Sequence, residues 1–365
     1  MRRFLGTRRR PKTALVLGAG GIKSVCHLGL FRALQRDKID IDLVVGSSGG
    51  SLFGASYALG TESGQIEHWV EKYWKQEIFQ DYGYRQMLKM LSPRKFKFDE
   101  KFGIIKGEEV RRVFMKLFGG LTFDDTKIPL RIIASDLKAG EPVVLGQGPL
   151  VEAIRASISM PVFFQPHLVD GRYLVDGALC APIPLDYAIA EGAEVIISMG
   201  FANRPHKRID SPLRLVTQLM KISGTQLYRA TVAYYARNPN VEVVPIELEL
   251  DSALGMRDID EIPRLIELGE EVSQELMPLV RRTIAEFHSP KNRLKRRLRL
   301  LAGHSLRTSL LEPPSFTRNG RSELPDEPVD SGDAESHGDA GGNGRVEQQG
   351  ESERKPLAEG APDSD

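Results

Sequence analysis

Thr13-Ala14-Leu15-Val16-Leu17 is an unbroken apolar run of strand length that ends in Gly18-Ala19-Gly20-Gly21. Apolar residues then recur at Val25, Leu28, Leu30, Phe31 and Leu34, close to helical spacing. A second run, Ile41 to Val45, enters Gly46-Ser47-Ser48-Gly49-Gly50, and Leu52 to Leu59 again reads as helix. Strand, glycine turn and helix, repeated, predict an α/β fold with a mostly parallel sheet covered by helices. The span 62–128 is mostly amphipathic helix, with Trp69, Tyr73, Trp74, Met87 and Phe114 on its apolar face. Further strands are expected at Leu130–Ala134, Pro142–Leu145, His167–Val169, Arg172–Val175 and Glu194–Met199, and helices over 211–236 and 258–287. No repeat interrupts this order.

Beyond Pro313 the chain is Gly, Ser, Pro and acid, too poor in apolar residues to bury a core, and disorder is expected there. The 365 residues therefore divide into a basic arm (1–11), one large α/β domain (12–288), a basic segment (289–312) and an acidic tail (313–365).

Composition changes the picture in one respect. The net charge of +1 conceals segregation along the chain. Arg2, Arg3, Arg8, Arg9, Arg10 and Lys12 stand without an acid in residues 1–12, and seven Lys/Arg stand without one in 291–307. Residues 319–365 carry 13 acidic against 4 basic side chains. In the second basic segment Leu294, Leu298 and Leu301 follow i, i+4, i+7 spacing, the pattern of a short helix lying on an anionic membrane surface. No aromatic residues interleave with these charges, so nucleic acid is not an expected partner. Two cysteines, Cys26 and Cys180, suit a reducing compartment better than a disulfide scaffold. Arg2-Arg3 precedes no apolar leader, and a cytoplasmic protein, peripheral at the membrane, is expected. Leu43 to Gly60 is uncharged over 18 residues, but its five Gly and four Ser argue against a membrane span.

The turn Gly46-Ser47-Ser48-Gly49-Gly50 fits G-x-S-x-G with Ser48 central. A nucleophile at a strand-to-helix elbow occupies a strained backbone, where side chains two residues either side would collide. Ser47 and Ser51 lack glycine at both such positions. The loop Gly18–Lys23 follows the first strand as the serine turn follows the second, so its N–H groups are placed to meet an oxyanion at Ser48. The same loop fails the dinucleotide fingerprint, because Lys23 stands at the third glycine position. Lys23 near a helix start suits either an anionic head group or a simple loop anchor. No histidine after Ser48 (His68, His167, His206, His288, His304, His337) sits in a compelling strand-end loop. A carboxylate is the other available base. Asp170-Gly171 reads as a hairpin turn, whereas Asp176-Gly177 follows a strand end, which favours Asp176.

The order G-A-G-G-I-K-S-V-C-H-L-G, then G-S-S-G-G, then D-G-A closely resembles the patatin-like phospholipases, especially compact bacterial members. F-D-D-T-K-I-P-L, A-S-D-L-K-A-G-E, A-I-R-A-S-I-S-M-P-V-F-F, A-P-I-P-L-D and G-A-E-V-I-I-S add to the resemblance, which is strong over about 12–200. It implies a three-layer fold and a lipid acyl hydrolase, with Ser48 as nucleophile and Asp176 as proton acceptor. It further implies Gly20 and Gly21 as oxyanion hole, with Gly46, Gly50, Lys23 and Gly177 supporting the motifs, and neither metal nor cofactor. Ala19 and Ser24 depart from the outer glycines of the family loop. A noncatalytic lipid- or acyl-binding module on the same fold is the alternative, and intact Ser48 and Asp176 argue against it. Residues 62–128 are expected to wall part of the substrate pocket.

Overall fold

A computed structural model describes residues 9–75, 100–203, 208–250 and 258–301. The expectations for Met87, His206, the first residues of the basic arm, and everything after Leu301 lie outside the described residues.

The first βα units form as the pattern predicts. β1 (Thr13–Leu17) leads through a short 3₁₀ turn (Gly21–Val25) to α1 (Cys26–Arg36); β2 (Leu43–Ser47) leads to α2 (Gly49–Ala58) and α3 (Ser63–Tyr73). β3 (Gly103–Ile105) and α4 (Glu108–Phe118) follow, then β4 (Leu130–Asp136), β5 (Pro142–Leu145) and α5 (Leu150–Ser157). β6 (Val162–Phe164), β7 (His167–Val169) and β8 (Arg172–Asp176) precede α6 (Leu185–Ala190), β9 (Val195–Asn203), α7 (Pro212–Tyr235) and β10 (Glu242–Leu250). The described chain ends with α8 (Ile262–Glu286) and α9 (Pro290–Leu301). The uncharged stretch Leu43–Gly60 is a strand and a helix that break at Ser48, and no helix among the described residues is long and apolar enough to cross a membrane.

The main sheet has the order β10-β9-β1-β2-β4-β8-β7, with β5 on the other edge of β4. β10, β9, β1, β2 and β4 run parallel, and β5, β7 and β8 are antiparallel additions. Both sheet faces are buried, as a parallel sheet requires. Leu15, Leu17 and Val44 point into one core with α1, α2 and α8, while Ala14, Val16, Leu43 and Val45 point into a second with α6 and Tyr228 of α7. The result is a three-layer α/β fold.

One detail of register positions the site. β2 pairs with β4 up to Ser47 opposite Ile133. β8 pairs antiparallel with the same β4, and its last residue, Asp176, stands opposite Ala134. β5 occupies the far edge of β4 over Ile132–Ser135, so β2 and β8 share the near edge. Two strands arriving from opposite directions thus meet end to end, one finishing at Ser47 and the other at Asp176.

β10 and the small parallel pair β3–β6 were not expected from the sequence. β10 alternates polar and apolar residues but carries Pro245, which an edge strand tolerates because its outer N–H positions need no partner. The described parts of the basic segments, residues 9–12 and the start of α9, lie at the end of the sheet opposite Ser48. Arg9 pairs with Glu194, Arg10 with Asp42, and the Lys12 ammonium donates to the Glu191 carbonyl (2.6 Å), all where β1 and β9 begin. α9 starts beside Phe287 and His288, and His288 also approaches Glu194 (3.8 Å). Leu294 and Leu298 are exposed on α9 as their spacing predicts, but Arg296 turns inward. Its guanidinium lies over the Phe287 ring at 3.9 Å and donates to the Phe287 carbonyl.

Candidate active site

Ser48 is the residue between β2 and α2, at φ 53°, ψ −127°. A non-glycine residue at positive φ costs on the order of 1–3 kcal/mol, and such strain persists only where the surroundings impose it. Here they do. A Cβ at Gly46 would strike the Gly50 carbonyl, and one at Gly50 would strike the Leu17 carbonyl. The Ser48 N–H donates to Ser157 Oγ (2.9 Å), whose hydroxyl donates in turn to the Ile133 carbonyl (2.6 Å). The Ser48 carbonyl accepts from Ser51 Oγ (2.6 Å). Ser47 and Ser51 are fully buried, whereas Ser48 retains 8% exposure and lines a cleft.

Ser48 Oγ donates to Asp176 Oδ2 at 2.8 Å. Asp176 Oδ1 accepts from the Ala178 N–H at 2.8 Å, so each carboxylate oxygen has one donor. The Asp176 backbone is fixed as well: its N–H donates to the Ser159 carbonyl and its carbonyl accepts from Ser135 Oγ. Gly177 permits the junction, since a Cβ there would overlap the Ile133 carbonyl and crowd Ser47 Oγ. Burial pushes the Asp176 carboxyl up to about 6, against the opposing pull of the Ala178 and Ser48 hydrogen bonds. That places it within reach of neutral pH as a proton acceptor.

Asp170 sits instead in the β7–β8 turn at φ 49°, beside Gly171 at φ 77°, a two-residue hairpin that does not line the cleft. Among the described residues, none lining the cleft is a histidine. His167 is bonded to Glu152 at 2.6 Å, away from Ser48. His27, in α1, is fully buried between Phe53 and Phe201 and held neutral by desolvation, its pKa lowered to about 3.

Gly21 lines the cleft beside Ser48 and Gly49. Among the described residues, neither Gly20 nor Gly21 donates its N–H within the protein, while Gly18 and Ala19 on the same loop are bonded to Met199 and Pro182. Gly20 lies one residue back, tight against the Phe201 ring and Ser24 Oγ. Ser24 is buried and fills the space beside Gly49. Lys23 faces neither solvent nor cleft: it is 3% exposed, and its ammonium reaches the Leu250 carbonyl at the end of β10 (3.4 Å). That corrects the view of Lys23 as a head-group contact or an exposed anchor, because the 3₁₀ turn directs it between the loop and β10.

The cleft encloses about 960 Å³ of empty space including its open mouth. Ser48 and Asp176 lie together in a wall otherwise almost entirely apolar, with Leu52 and Phe53 from α2, Ile66 and Val70 from α3, and Val110 and Phe114 from α4. Trp69, Tyr73 and Trp74 also line it, as expected of the 62–128 span. Sequence reasoning missed Arg155, Ser157 and Ser159, which hold both halves of the Ser48–Asp176 pair. Arg155 is 2% exposed and donates to the Gly107 and Lys106 carbonyls and to Ser159 Oγ. An arginine and two serines at i, i+2 and i+4 in an apolar run were the available signal.

The strained serine, the buried carboxylate and the glycine loop all fall within the stretch of the chain that a family model matches. Residues 15–189 match the family model Patatin-like phospholipase. An uncharacterized NTE family protein of Mycobacterium tuberculosis is 32% identical over 189 residues, 52% of this chain and 49% of that protein. Patatin-like phospholipase domain-containing protein 6 of Homo sapiens is 27% identical over 188 residues, 51% of this chain and 13% of that protein. The chain therefore spans about half the length of the first relative and a small part of the second. Among solved structures, VipD from Legionella pneumophila aligns over 74% of this chain and 67% of its own, at 14% identity and a TM-score of 0.42.

Proposed function

We propose that this protein is a lipid acyl hydrolase that cleaves carboxylic esters through a Ser48–Asp176 dyad. The observation that carries the proposal is the 2.8 Å hydrogen bond from Ser48 Oγ to Asp176 Oδ2, set in an apolar cleft. Ser48 Oγ attacks the ester carbonyl and its proton passes to Asp176, giving a tetrahedral oxyanion that faces the Gly20–Gly21 N–H groups. Collapse breaks the bond to the leaving alkoxide, which takes the proton back from Asp176 and departs as an alcohol. Water then attacks the acyl-Ser48 carbonyl, giving its proton to Asp176. A second collapse restores the Ser48 hydroxyl and releases the fatty acid. The raised pKa of Asp176 makes it a stronger base than an exposed carboxylate and still leaves it ionised at neutral pH.

The apolar walls suit an acyl chain, and among the described residues Asp176 is the one charged side chain that lines them. A panel of phospholipid, lysophospholipid, monoglyceride and short-chain aryl ester tests the reading. At least one long-chain ester should turn over, and Ser48→Ala should abolish that turnover. Undiminished turnover in Ser48→Ala would overturn it.

A further inference from the structure

α7 carries an apolar ridge that nothing among the described residues covers. Leu215, Leu219 and Ile222 follow i, i+4, i+7 spacing on one side of the helix, and all three are about half exposed. Ile209, just before the helix, is 51% exposed. Isolated exposed leucines need no explanation, but a continuous ridge over two turns is the mark of a surface that meets something apolar. The helix turns only Gln218, Thr225 and Tyr228 fully inward.

Its charge is one-sided. The 24 residues Pro212–Tyr235 contain no acid and carry Arg214, Lys221 and Arg229, with Arg208 shortly before. Of these, Arg214 forms an exposed pair with Asp210, and Arg229 lies 4.0 Å from Glu247 of β10. Such exposed pairs are weak and yield readily to a stronger anionic partner.

Its position follows from the chain path. β9 is parallel to β1 and ends at the side of the sheet where Ser48 lies, so the N-terminal half of α7 begins at the catalytic end. Tyr228 packs beside Gly200 on β9, and Leu215 is thirteen residues nearer the start of the helix, about 20 Å along its axis. α7 also packs against the turn Gly177–Leu179 that directly follows Asp176.

We propose that the N-terminal half of α7, through Leu215, Leu219 and Ile222, docks the catalytic end of the protein onto an anionic lipid surface. Apolar side chains enter the acyl boundary while the basic ones meet the head groups, the arrangement of an interfacial helix. The inference deepens the lipid hydrolase reading and rests on it for its biological sense. α9 is more basic but stands at the opposite end, where docking would turn the cleft away from the lipid.

Flotation of full-length protein with vesicles of phosphatidylcholine, alone or mixed with phosphatidylglycerol, tests the proposal. All forms carry Ser48→Ala, so the readout is binding and not turnover. Binding should require phosphatidylglycerol, fall about tenfold or more in Leu219→Glu/Ile222→Glu, and persist in Leu294→Glu/Leu298→Glu. A Leu219→Trp variant should shift its emission to the blue on the same vesicles. Retained binding in the α7 variant, loss only in the α9 variant, or no vesicle binding at all would overturn the proposal. So would a dimer by light scattering that the α7 variant dissolves, since a second copy would then own the ridge. Vesicle binding as expected, without ester turnover by protein retaining Ser48, would instead defeat the hydrolase reading alone.

Discussion

The two ends of the parallel sheet manage their charged and strained groups in opposite ways. Where β1 and β9 begin, acids and bases meet at the surface: Arg9 on Glu194, Arg10 on Asp42, and the Thr13 N–H on Asp42. Where β2 and β8 end, a serine is held at φ 53° and a carboxylate is 5% exposed with no cation among its hydrogen-bond partners. The first arrangement satisfies each group in solvent at little cost. The second keeps two unfavourable features side by side, each imposed by neighbours: Ser157 and the flanking glycines for Ser48, Ser135 and Ser159 for Asp176. Stored strain and a buried carboxylate side by side at one end of the sheet are the observations on which the proposed dyad rests.

The contrast is most easily broken at Asp176. Asp176→Asn preserves shape but removes the base, and turnover should fall by about 10²–10⁴-fold. Glu194→Gln at the other end should leave turnover within about twofold, and steady-state kinetics on one ester compares the two. A fall in the Glu194 variant as large as that in Asp176→Asn would erase the distinction between the ends.

The same carboxylate predicts a stability effect. Asp176 titrates at about 6 when folded, above the 3.8 of an unperturbed Asp. The protonated form is thus favoured by folding, and that stability is present at low pH and lost as pH rises through about 6. At pH 8 the ionised carboxylate costs on the order of 3 kcal/mol. Asp176→Asn should therefore melt several degrees higher than the parent at pH 8, with the gap closing toward pH 4. An equal gap at both values would refute the desolvated carboxylate. Turnover has the opposite sign: kcat/KM should rise with pH through about 6 and then level off.

A smaller effect belongs to the elbow. Ser48→Gly relieves the positive φ, while Ser48→Ala keeps it, so the glycine variant should be the more stable by about 1 kcal/mol in denaturant unfolding. Smallest of all, Glu194→Gln should cost no more than about 1 kcal/mol, the range of exposed ion pairs.

What could be read from the chain followed what is local. Ser48 was legible because a tight elbow needs Gly46 and Gly50, and those glycines stand in the sequence as spacing. Asp176 was legible through Gly177, whose missing side chain lets β8 end against Ile133. The end-to-end meeting of β2 and β8 was not legible, because it depends on which edge of β4 each strand takes. β3 and β6, at three residues each, are too short to show a period, and Pro245 masked the alternation of β10. Lys23 and Arg296 misled for one reason: both are charged side chains that tertiary contacts turn inward, to the Leu250 carbonyl and to Phe287. The basic spacing of α9 was read correctly as amphipathic. Its distance from Ser48 became visible only once the chain was folded.

In the proposed dyad Ser48 is made reactive by Asp176 alone. The most direct measurement is the rate of covalent labelling by an alkyl fluorophosphonate across pH 5–8, with the modified residue mapped by peptide mass. One adduct on Ser48 is expected, with none in Ser48→Ala, slow labelling in Asp176→Asn, and a rate in the parent that rises through pH about 6. Labelling that moves to Ser47 or Ser51, or that survives at full rate in Asp176→Asn, would contradict it.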